Sequence, residues 1–267
     1  MFLFHAPARA SIVLLASALM ACSAPEPAGS NDSLSQLTQP IIGGVLDTDH
    51  PEVMLLANRA GFLCTGTVIQ FEQQMGFLLT AAHCVTDEDD EAETVPLRAR
   101  DFIVIPGIDF TQSTTAFSVT DISVEPRYRG GFAEHDIAIV QFFFGNAPAP
   151  GVIPPLLQSE DLLDVTDPLL LIGYGQTETD EDNTQRRHVE RNIEALDAEL
   201  IAYTQADARG TCFGDSGGPG LIQVDGEERV AAVISGGVDN VDDTCAGGFG
   251  VSTRVSGYEE FIASVLP

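Results

Sequence analysis

A series of short apolar runs, which begins at Ile41 and continues toward the end of the chain, limits the fold more than any other sequence feature. Each run is dominated by Val, Ile, Phe and Thr and is bounded by Gly, Pro or Asp. This pattern is typical of strands, and strands at this spacing predict a β-barrel or a β-sandwich. The clearest runs are residues 53–57, 77–80, 102–105, 137–144, 169–172, 221–224 and 230–235.

Two segments bear on helix content. Near the end of the chain, four residues follow the i, i+3, i+4, i+7 spacing of an amphipathic helix: Tyr258, Phe261, Ile262 and Val265. Residues 190–200 also have a helical composition, but a strand with its flanking loop fits them as well. We therefore expect an all-β chain with a C-terminal helix and leave the state of residues 190–200 open.

The length of 267 residues allows one large all-β domain or two smaller barrels. A Pro-rich stretch at residues 147–155 separates the apolar runs into two groups, at about residues 41–150 and 151–267. We expect each group to form one barrel.

The first 40 residues differ from the rest in composition. Residues 1–21 have the pattern of a signal peptide, because Arg9 precedes an apolar run that is too short to span a bilayer. The stretch Leu19-Met20-Ala21-Cys22 resembles a bacterial lipobox, in which the Cys is acylated after cleavage. Residues 22–40 then comprise this Cys and a disordered propeptide or linker rich in Pro, Ser, Gln, Asn and Gly. Ordinary secretion, with cleavage near Ala21, is the alternative.

The charge balance excludes one class of partner. The chain has 40 acidic and 12 basic residues, which give a formal net charge of −28 at pH 7. Nucleic acid is therefore excluded, because phosphate binding needs clustered Lys and Arg. The hydrophobic content of 44% also excludes a disordered chain.

The cysteine count agrees with lipid attachment. Five Cys is an odd number for an exported protein. If Cys22 is acylated, an even set of four remains, which fits two disulfides in an oxidising compartment. These four are Cys64, Cys84, Cys212 and Cys245.

Three short motifs carry the chemistry. They are Thr80-Ala81-Ala82-His83-Cys84, His135-Asp136-Ile137-Ala138-Ile139 and Thr211-Cys212-Phe213-Gly214-Asp215-Ser216-Gly217-Gly218-Pro219. Alone, a His after two Ala is more often structural, and an Asp that opens a strand is usually a turn or cap residue. The third motif is more specific, because a Ser between glycines lets a substrate carbonyl approach the backbone closely. Together the motifs supply a nucleophile, a base and an acid that orients the base.

These motifs, in the chain order His, Asp, Ser, resemble those of the chymotrypsin/trypsin-like serine endopeptidases, from Ile41 to about Val265. The resemblance implies two six-stranded antiparallel β-barrels with a C-terminal helix, and peptide-bond hydrolysis through an acyl-enzyme. Ser216 would be the nucleophile, His83 the general base and then acid, and Asp136 the group that holds the imidazole tautomer. The backbone N–H groups of Gly214 and Ser216 would form the oxyanion hole.

The same resemblance assigns structural roles. It pairs Cys64 with Cys84 and Cys212 with Cys245. It places Ser235 as a hydrogen-bond donor to Asp136, and it gives no role to His135. The turn Gly173-Tyr174-Gly175 corresponds to the family's Gly-Trp-Gly turn.

Ile41-Ile42-Gly43-Gly44 resembles the start of a mature protease of this family. Cleavage before Ile41 would free an α-ammonium that pairs with Asp215 and shapes the oxyanion hole. A strand that merely begins with these residues is the alternative. Pro40 stands where such zymogens usually have Arg or Lys, so the activating protease is unknown. The cut would also separate the domain from Cys22, so activation and release from the membrane would be one event.

The resemblance places seven residues around the substrate pocket: Gly210, Thr211, Phe213, Ser235, Gly236, Gly237 and Gly250. Gly210 lies at the base, where cleavage after Arg or Lys requires an Asp. Gly237 and Gly250 align with positions where bulky residues would block entry. The pocket is therefore expected to be open and uncharged, and to accept a large apolar residue at P1, the position before the cut. Gly236 replaces a usual Trp.

Two acidic runs, residues 87–91 and 178–182, raise the question of a metal. Some family members bind Ca²⁺ downstream of the catalytic His, but a solvated acidic face is the default interpretation. The sequence has no EF-hand pattern and no Cys/His set spaced for zinc, so we expect neither a metal nor a cofactor.

The sequence thus predicts an exported, monomeric endopeptidase with polypeptide substrates, which contacts a membrane only through a lipid on Cys22. A non-catalytic binding or regulatory protein on the same fold is the alternative. An esterase that uses the same residues is a third possibility.

Overall fold

A computed structural model describes residues 41–88, 94–132, 134–177, 183–238, 245 and 247–267. The predicted signal peptide, Cys22 and the linker lie outside the described residues, as do Pro40 and most or all of each acidic run. Those features stay predictions.

Within the described residues the chain forms sixteen strands and one α-helix. The strands are β1 (Val45–Leu46), β2 (Val53–Asn58), β3 (Leu63–Glu72), β4 (Met75–Thr80), β5 (Thr86–Glu88), β6 (Thr94–Pro96), β7 (Phe102–Ile105), β8 (Phe117–Val124), β9 (Ala138–Phe143), β10 (Pro168–Gly173), β11 (Arg187–Asn192), β12 (Ala195–Leu196), β13 (Leu200–Thr204), β14 (Pro219–Val224), β15 (Glu227–Val238) and β16 (Phe249–Arg254). The helix is α1 (Glu259–Val265), and short 3₁₀ turns occupy Ala82–Cys84, Ala99–Asp101 and Val255–Tyr258. The predicted all-β fold with a C-terminal helix is confirmed.

Six antiparallel strands of the first half close into a barrel in the order β2-β3-β4-β9-β8-β7. Strand β4 lies between β3 and β9, so Leu79 is paired with Thr67 on one side and Ile139 on the other. The nearly continuous apolar runs of the sequence supply the packed interior, which includes Val68, Leu79, Val104, Ile139 and Phe142. This barrel holds the turn that carries His83.

The second half forms an eight-stranded antiparallel sheet in the order β1-β11-β10-β14-β15-β16-β13-β12. The prediction of six strands holds for the inner part, from β11 to β13. The two-residue strands β1 and β12 extend its ends, because the segment after Ile41 pairs along β11 and residues 195–196 fold back on β13.

The helical interpretation of residues 190–200 is wrong. Val189, Arg191 and Ile193 are buried while Glu190 and Asn192 are exposed, so burial alternates with the period of a strand. The C-terminal helix prediction is confirmed, since α1 buries Phe261 and Ile262. In the part of the chain that the structure describes, no helix has both the length and the apolar character needed to cross a membrane.

The closed barrel predicts that its core is sensitive to truncation. Leu79 is fully buried, so Leu79→Ala should lower the free energy of unfolding by about 2–5 kcal/mol. Leu162, with 88% of its surface exposed, provides a matched control whose change to Ala should cost less than about 0.5 kcal/mol. Urea unfolding followed by circular dichroism measures both, and equal losses would contradict the barrel packing.

Candidate active site

The carboxylate of Asp136 holds His83 at two points. The Nδ1 atom of His83 lies 2.7 Å from Oδ2 of Asp136, and the backbone N–H of His83 donates to Oδ1 at 2.8 Å. Asp136 lies two residues before the start of strand β9 and is fully buried, whereas His83 lies on the 3₁₀ turn after β4. One buried group therefore fixes both the backbone and the ring of the histidine.

The second sheet holds Asp136 from the other side. Ser235, on strand β15, donates its hydroxyl hydrogen to Oδ2 at 2.5 Å. Thr253, on β16, donates to the backbone carbonyl of Asp136 at 2.9 Å. The predicted contact between Ser235 and Asp136 is confirmed, and the site lies where the barrel and the sheet meet.

Ser216 lies in a tight loop whose backbone is held at several points. The carbonyl of Ser216 accepts from the backbone N–H of Thr65 at 2.8 Å, and Gly217 donates to the carbonyl of Ile234 at 2.7 Å. Gly217 has a φ of +82°, and a Cβ there would collide with the hydroxyl of Thr80 and the carbonyl of Thr65. Only glycine tolerates both the positive φ and the lack of space for a Cβ atom.

Two backbone N–H groups beside Ser216 point to anion stabilisation. Within the described residues, neither the N–H of Gly214 nor that of Ser216 donates a hydrogen bond. Gly214 has a φ of +99°, and the carbonyl of Phe213, which shares a peptide group with the N–H of Gly214, accepts from the N–H of Gln176 at 2.7 Å, which fixes the orientation of that N–H. Two such donors near a nucleophile can stabilise an oxygen that becomes negatively charged during reaction.

An open cleft of about 700 Å³ is lined by His83, Ser216, Gly214 and Phe213. The ring of Phe132 meets the ring of His83 edge to face, with centroids 5.1 Å apart. The structure therefore brings the predicted nucleophile and base to one surface. Six of the seven residues predicted to surround the substrate pocket lie outside this lining: Gly210, Thr211, Ser235, Gly236, Gly237 and Gly250.

Three of those pocket residues, Gly210, Thr211 and Gly250, pack against two side chains that the sequence analysis missed, Tyr203 and Gln205. A Cβ on Gly250 would collide with the ring of Tyr203, and one on Gly210 would collide with Gln205. Gln205 accepts from the backbone N–H of Thr211 at 2.7 Å. Gly250 thus makes room for Tyr203, and its predicted place in the substrate pocket stays a prediction.

Thr65 was also missed as a site residue. Its hydroxyl donates to Gly214 and accepts from the backbone N–H of Tyr174 at 3.2 Å, while its carbonyl accepts from Thr80 at 2.8 Å. Its only sequence signal was its place after Cys64. Phe132 carried no signal, because exposed aromatic residues in loops follow no pattern.

Both predicted disulfides are present, Cys64–Cys84 and Cys212–Cys245. They close loops with separations of 20 and 33 residues, and each contributes about 3–4 kcal/mol in the loop-entropy model. Cys64, His83 and Cys84 also form the closest group of metal-binding residue types among the described residues. The sulfurs of Cys64 and Cys84 are bonded to each other, so neither is a thiolate ligand. The expectation of no metal stays a prediction.

Asp215 is a second buried carboxylate, next to the nucleophile. Its Oδ1 accepts from the N–H of Gly175 at 2.7 Å and its Oδ2 from that of Cys212 at 2.8 Å. Glycines at 173 and 175 give it space, because a Cβ at either position would collide with the carboxylate. Burial raises the pKa of Asp215 to about 7, although these two hydrogen bonds lower it in part.

No cationic side chain among the described residues pairs with Asp215. Ile41 is fully buried, and Ile42 pairs with Gly210, whose N–H donates to the carbonyl of Ile42 at 2.9 Å. The segment that follows the predicted cleavage point is thus packed inside the domain.

The trypsin family model matches residues 41–262, and the chain belongs to the trypsin family. This membership supports a peptidase. Serine protease Hayan of Drosophila melanogaster is 28% identical over 238 residues, covering 78% of this chain and 35% of that protein. CLIP domain-containing serine protease B4 of Anopheles gambiae is 26% identical over 259 residues, covering 85% and 70%. Venom serine protease 34 of Apis mellifera is 24% identical over 262 residues, covering 90% and 58%.

The raised pKa of Asp215 predicts pH-dependent stability of the uncleaved chain. Its folded-state pKa of about 7 lies above the ordinary value of 3.8. The contribution of Asp215 to the free energy of unfolding is therefore fully present below about pH 4. It is lost as the pH rises through about 7, and the loss is about 4 kcal/mol. Urea unfolding across this range, in a Ser216→Ala background, measures the loss. Adding Asp215→Asn should remove this pH dependence; the same slope in both variants would contradict the prediction.

Proposed function

We propose that the protein is a serine endopeptidase in which Ser216 attacks the carbonyl carbon of a peptide bond. The observation that carries this proposal is that His83, held from behind by the buried pair Asp136 and Ser235, lines the same cleft as Ser216. A base at His83 is needed because a serine hydroxyl is a weak nucleophile at neutral pH.

The reaction proceeds in two halves. As the oxygen of Ser216 bonds to the carbonyl carbon, its proton passes to Nε2 of His83, and the N–H groups of Gly214 and Ser216 stabilise the oxyanion. His83 then gives the proton to the leaving amine, which departs and leaves an acyl-enzyme. Water then attacks the acyl-enzyme in the same way as Ser216 attacked the peptide. The carboxylate product and free Ser216 result. Asp136 keeps the proton of the neutral ring on Nδ1, so Nε2 can accept.

Substitutions in this set should separate chemistry from folding. Ser216→Ala should abolish labelling by a serine-directed phosphonate and reduce peptide cleavage to background. Asp136→Asn should lower kcat by about 10⁴-fold, because the histidine then adopts the wrong tautomer. Steady-state peptide hydrolysis and mass spectrometry of the labelled chain measure these effects. Absence of labelling in the correctly folded domain that begins at Ile41 would favour the non-catalytic binding protein.

The protein is further proposed to be made as an exported zymogen. Residues 1–21 would direct export, Cys22 would carry a lipid, and residues 22–40 would link it to the peptidase domain at 41–267. Two disulfides in the domain support an oxidising compartment. Cleavage before Ile41, by a protease that accepts Pro40, would activate the domain and release it.

The buried carboxylate of Asp215 supports this activation. A buried charge without a partner is costly, and the α-ammonium of a new N-terminus at Ile41 would supply one. The fully buried position of Ile41 is consistent with such a pair. The pair would hold the loop from Gly214 to Ser216 in its active form.

A single added residue should test this mechanism. The domain that begins at Ile41 should be active, and the same domain with one extra Ala before Ile41 should lose at least about 100-fold in kcat/KM, which corresponds to about 3 kcal/mol. Asp215→Asn should cause a comparable loss. Peptide hydrolysis by proteins with N-termini verified by mass spectrometry measures the effect; equal activity with and without the extra residue would exclude an ammonium switch.

The P1 residue is proposed to be large and apolar rather than Arg or Lys. Gly210 offers no carboxylate at the expected base of the pocket, and the neighbouring buried side chains Tyr203 and Gln205 carry no charge there. The substrates would be polypeptides.

A further inference from the structure

Exposed phenylalanines are concentrated at one place on this molecule. The four most exposed large apolar side chains among the described residues are Leu162 at 88%, Phe62 at 74%, Phe132 at 66% and Phe213 at 61%. The three phenylalanines line the cleft that holds His83 and Ser216. Single exposed apolar residues are ordinary, but a group around a cleft marks a binding surface.

The ring of Phe132 provides an apolar surface beside the reacting groups. Its ring meets that of His83 edge to face, with centroids 5.1 Å apart. It also covers Gly236, where an added Cβ would lie 3.2 Å from the ring carbons of Phe132. The glycine and the phenylalanine thus fit together, and an apolar surface lies next to the catalytic histidine.

At Phe213 and at Phe62, the backbone is held by a hydrogen bond and by a nearby disulfide. The carbonyl of Phe213 accepts from the N–H of Gln176 at 2.7 Å, and the preceding residue is in a disulfide. The carbonyl of Phe62 accepts from the N–H of Asn58 at 2.9 Å, close to the disulfide at Cys64. Held backbones with exposed rings are preorganised for binding, since little freedom remains to be lost.

We propose that Phe62, Phe132 and Phe213, together called the phenylalanine rim, bind apolar side chains on residues that flank the P1 residue of the substrate. This inference rests on the proposed function and names its substrate class: extended polypeptide segments rich in aromatic and aliphatic residues. The rings come from separate segments of the chain and line one cleft, so a peptide segment that lies along it can contact them with different side chains. In water, the exposed rings do not stabilise this strongly acidic protein. An apolar substrate segment that binds to them removes their surface from water.

The test compares two peptides that share the same P1 residue. One carries Leu at the flanking positions and the other carries Ser. Wild-type enzyme starting at Ile41 should show a kcat/KM for the Leu peptide about 10-fold or more above that for the Ser peptide. Because the contacts are apolar, this ratio should persist in about 1 M NaCl, where electrostatic attraction is screened.

Each of Phe62→Ala, Phe132→Ala and Phe213→Ala should lower the ratio about twofold, and the triple variant should bring it close to one. Phe132→Leu should retain most of the preference. Leu162→Ala, at a residue that is more exposed but lies outside the cleft, should leave the ratio unchanged. A ratio between two peptides cancels any effect of a variant on the shared chemistry, and urea unfolding checks that each variant is folded.

Failure of this inference is distinguishable from failure of the proposed function. Ser216→Ala protein cannot form an acyl-enzyme, so direct titration of the fluorescent Leu peptide onto it measures rim binding without catalysis. Tighter binding of the Leu peptide than of the Ser peptide, lost in the triple Phe variant, supports the rim even if phosphonate labelling fails. Equal ratios in wild type and triple variant overturn it even if Ser216 is fully reactive.

Discussion

The buried hydrogen bonds of Asp136 join the two halves of this structure. Its carboxylate contacts His83 from the barrel and Ser235 from the sheet, and its backbone carbonyl is held by Thr253. A buried carboxylate is tolerated only when its oxygens are satisfied, so the two halves must meet in one arrangement. The relative position of barrel and sheet is therefore coupled to the orientation of the histidine ring, and the cleft follows from that arrangement.

Two other buried carboxylates show how surroundings decide the behaviour of the same group. Burial alone would raise the pKa of Asp47, but its hydrogen bond with His50 and the charges of His50 and Arg186 outweigh burial and lower it. Asp215 is equally inaccessible and has only backbone donors, so burial prevails and its pKa rises to about 7. The first carboxylate holds the segment around β1 to the second sheet through Arg186. Among the described residues the second has no cationic side chain as a partner, although it lies directly before Ser216.

Much of this site could be predicted from sequence, because the residues involved are packed into short motifs. The loop around Ser216 is specified by glycines at fixed offsets, and the cysteine pairs and Ser235 followed from the family resemblance. The partners of those glycines could not be predicted. Tyr203 and Gln205 reach the pocket region from β13 through long-range packing, and nothing local marks them. The extension of the second sheet by β1 and β12 was missed for a similar reason, since two-residue strands carry too little pattern. Residues 190–200 were ambiguous because Glu, Ala and Leu favour a helix, while the alternating burial that decides for a strand exists only in the folded chain.

The surface charge and the exposed phenylalanines are physically related. Three exposed rings around one cleft would promote self-association in a neutral protein, because each buries apolar area when two molecules meet. A formal net charge of −28 opposes this contact by repulsion between like molecules, and the repulsion acts at distances where the apolar attraction does not. An uncharged apolar peptide segment experiences no such repulsion and can still reach the rings. The acidic composition therefore opposes contact between two copies at this cleft without opposing the approach of an uncharged segment.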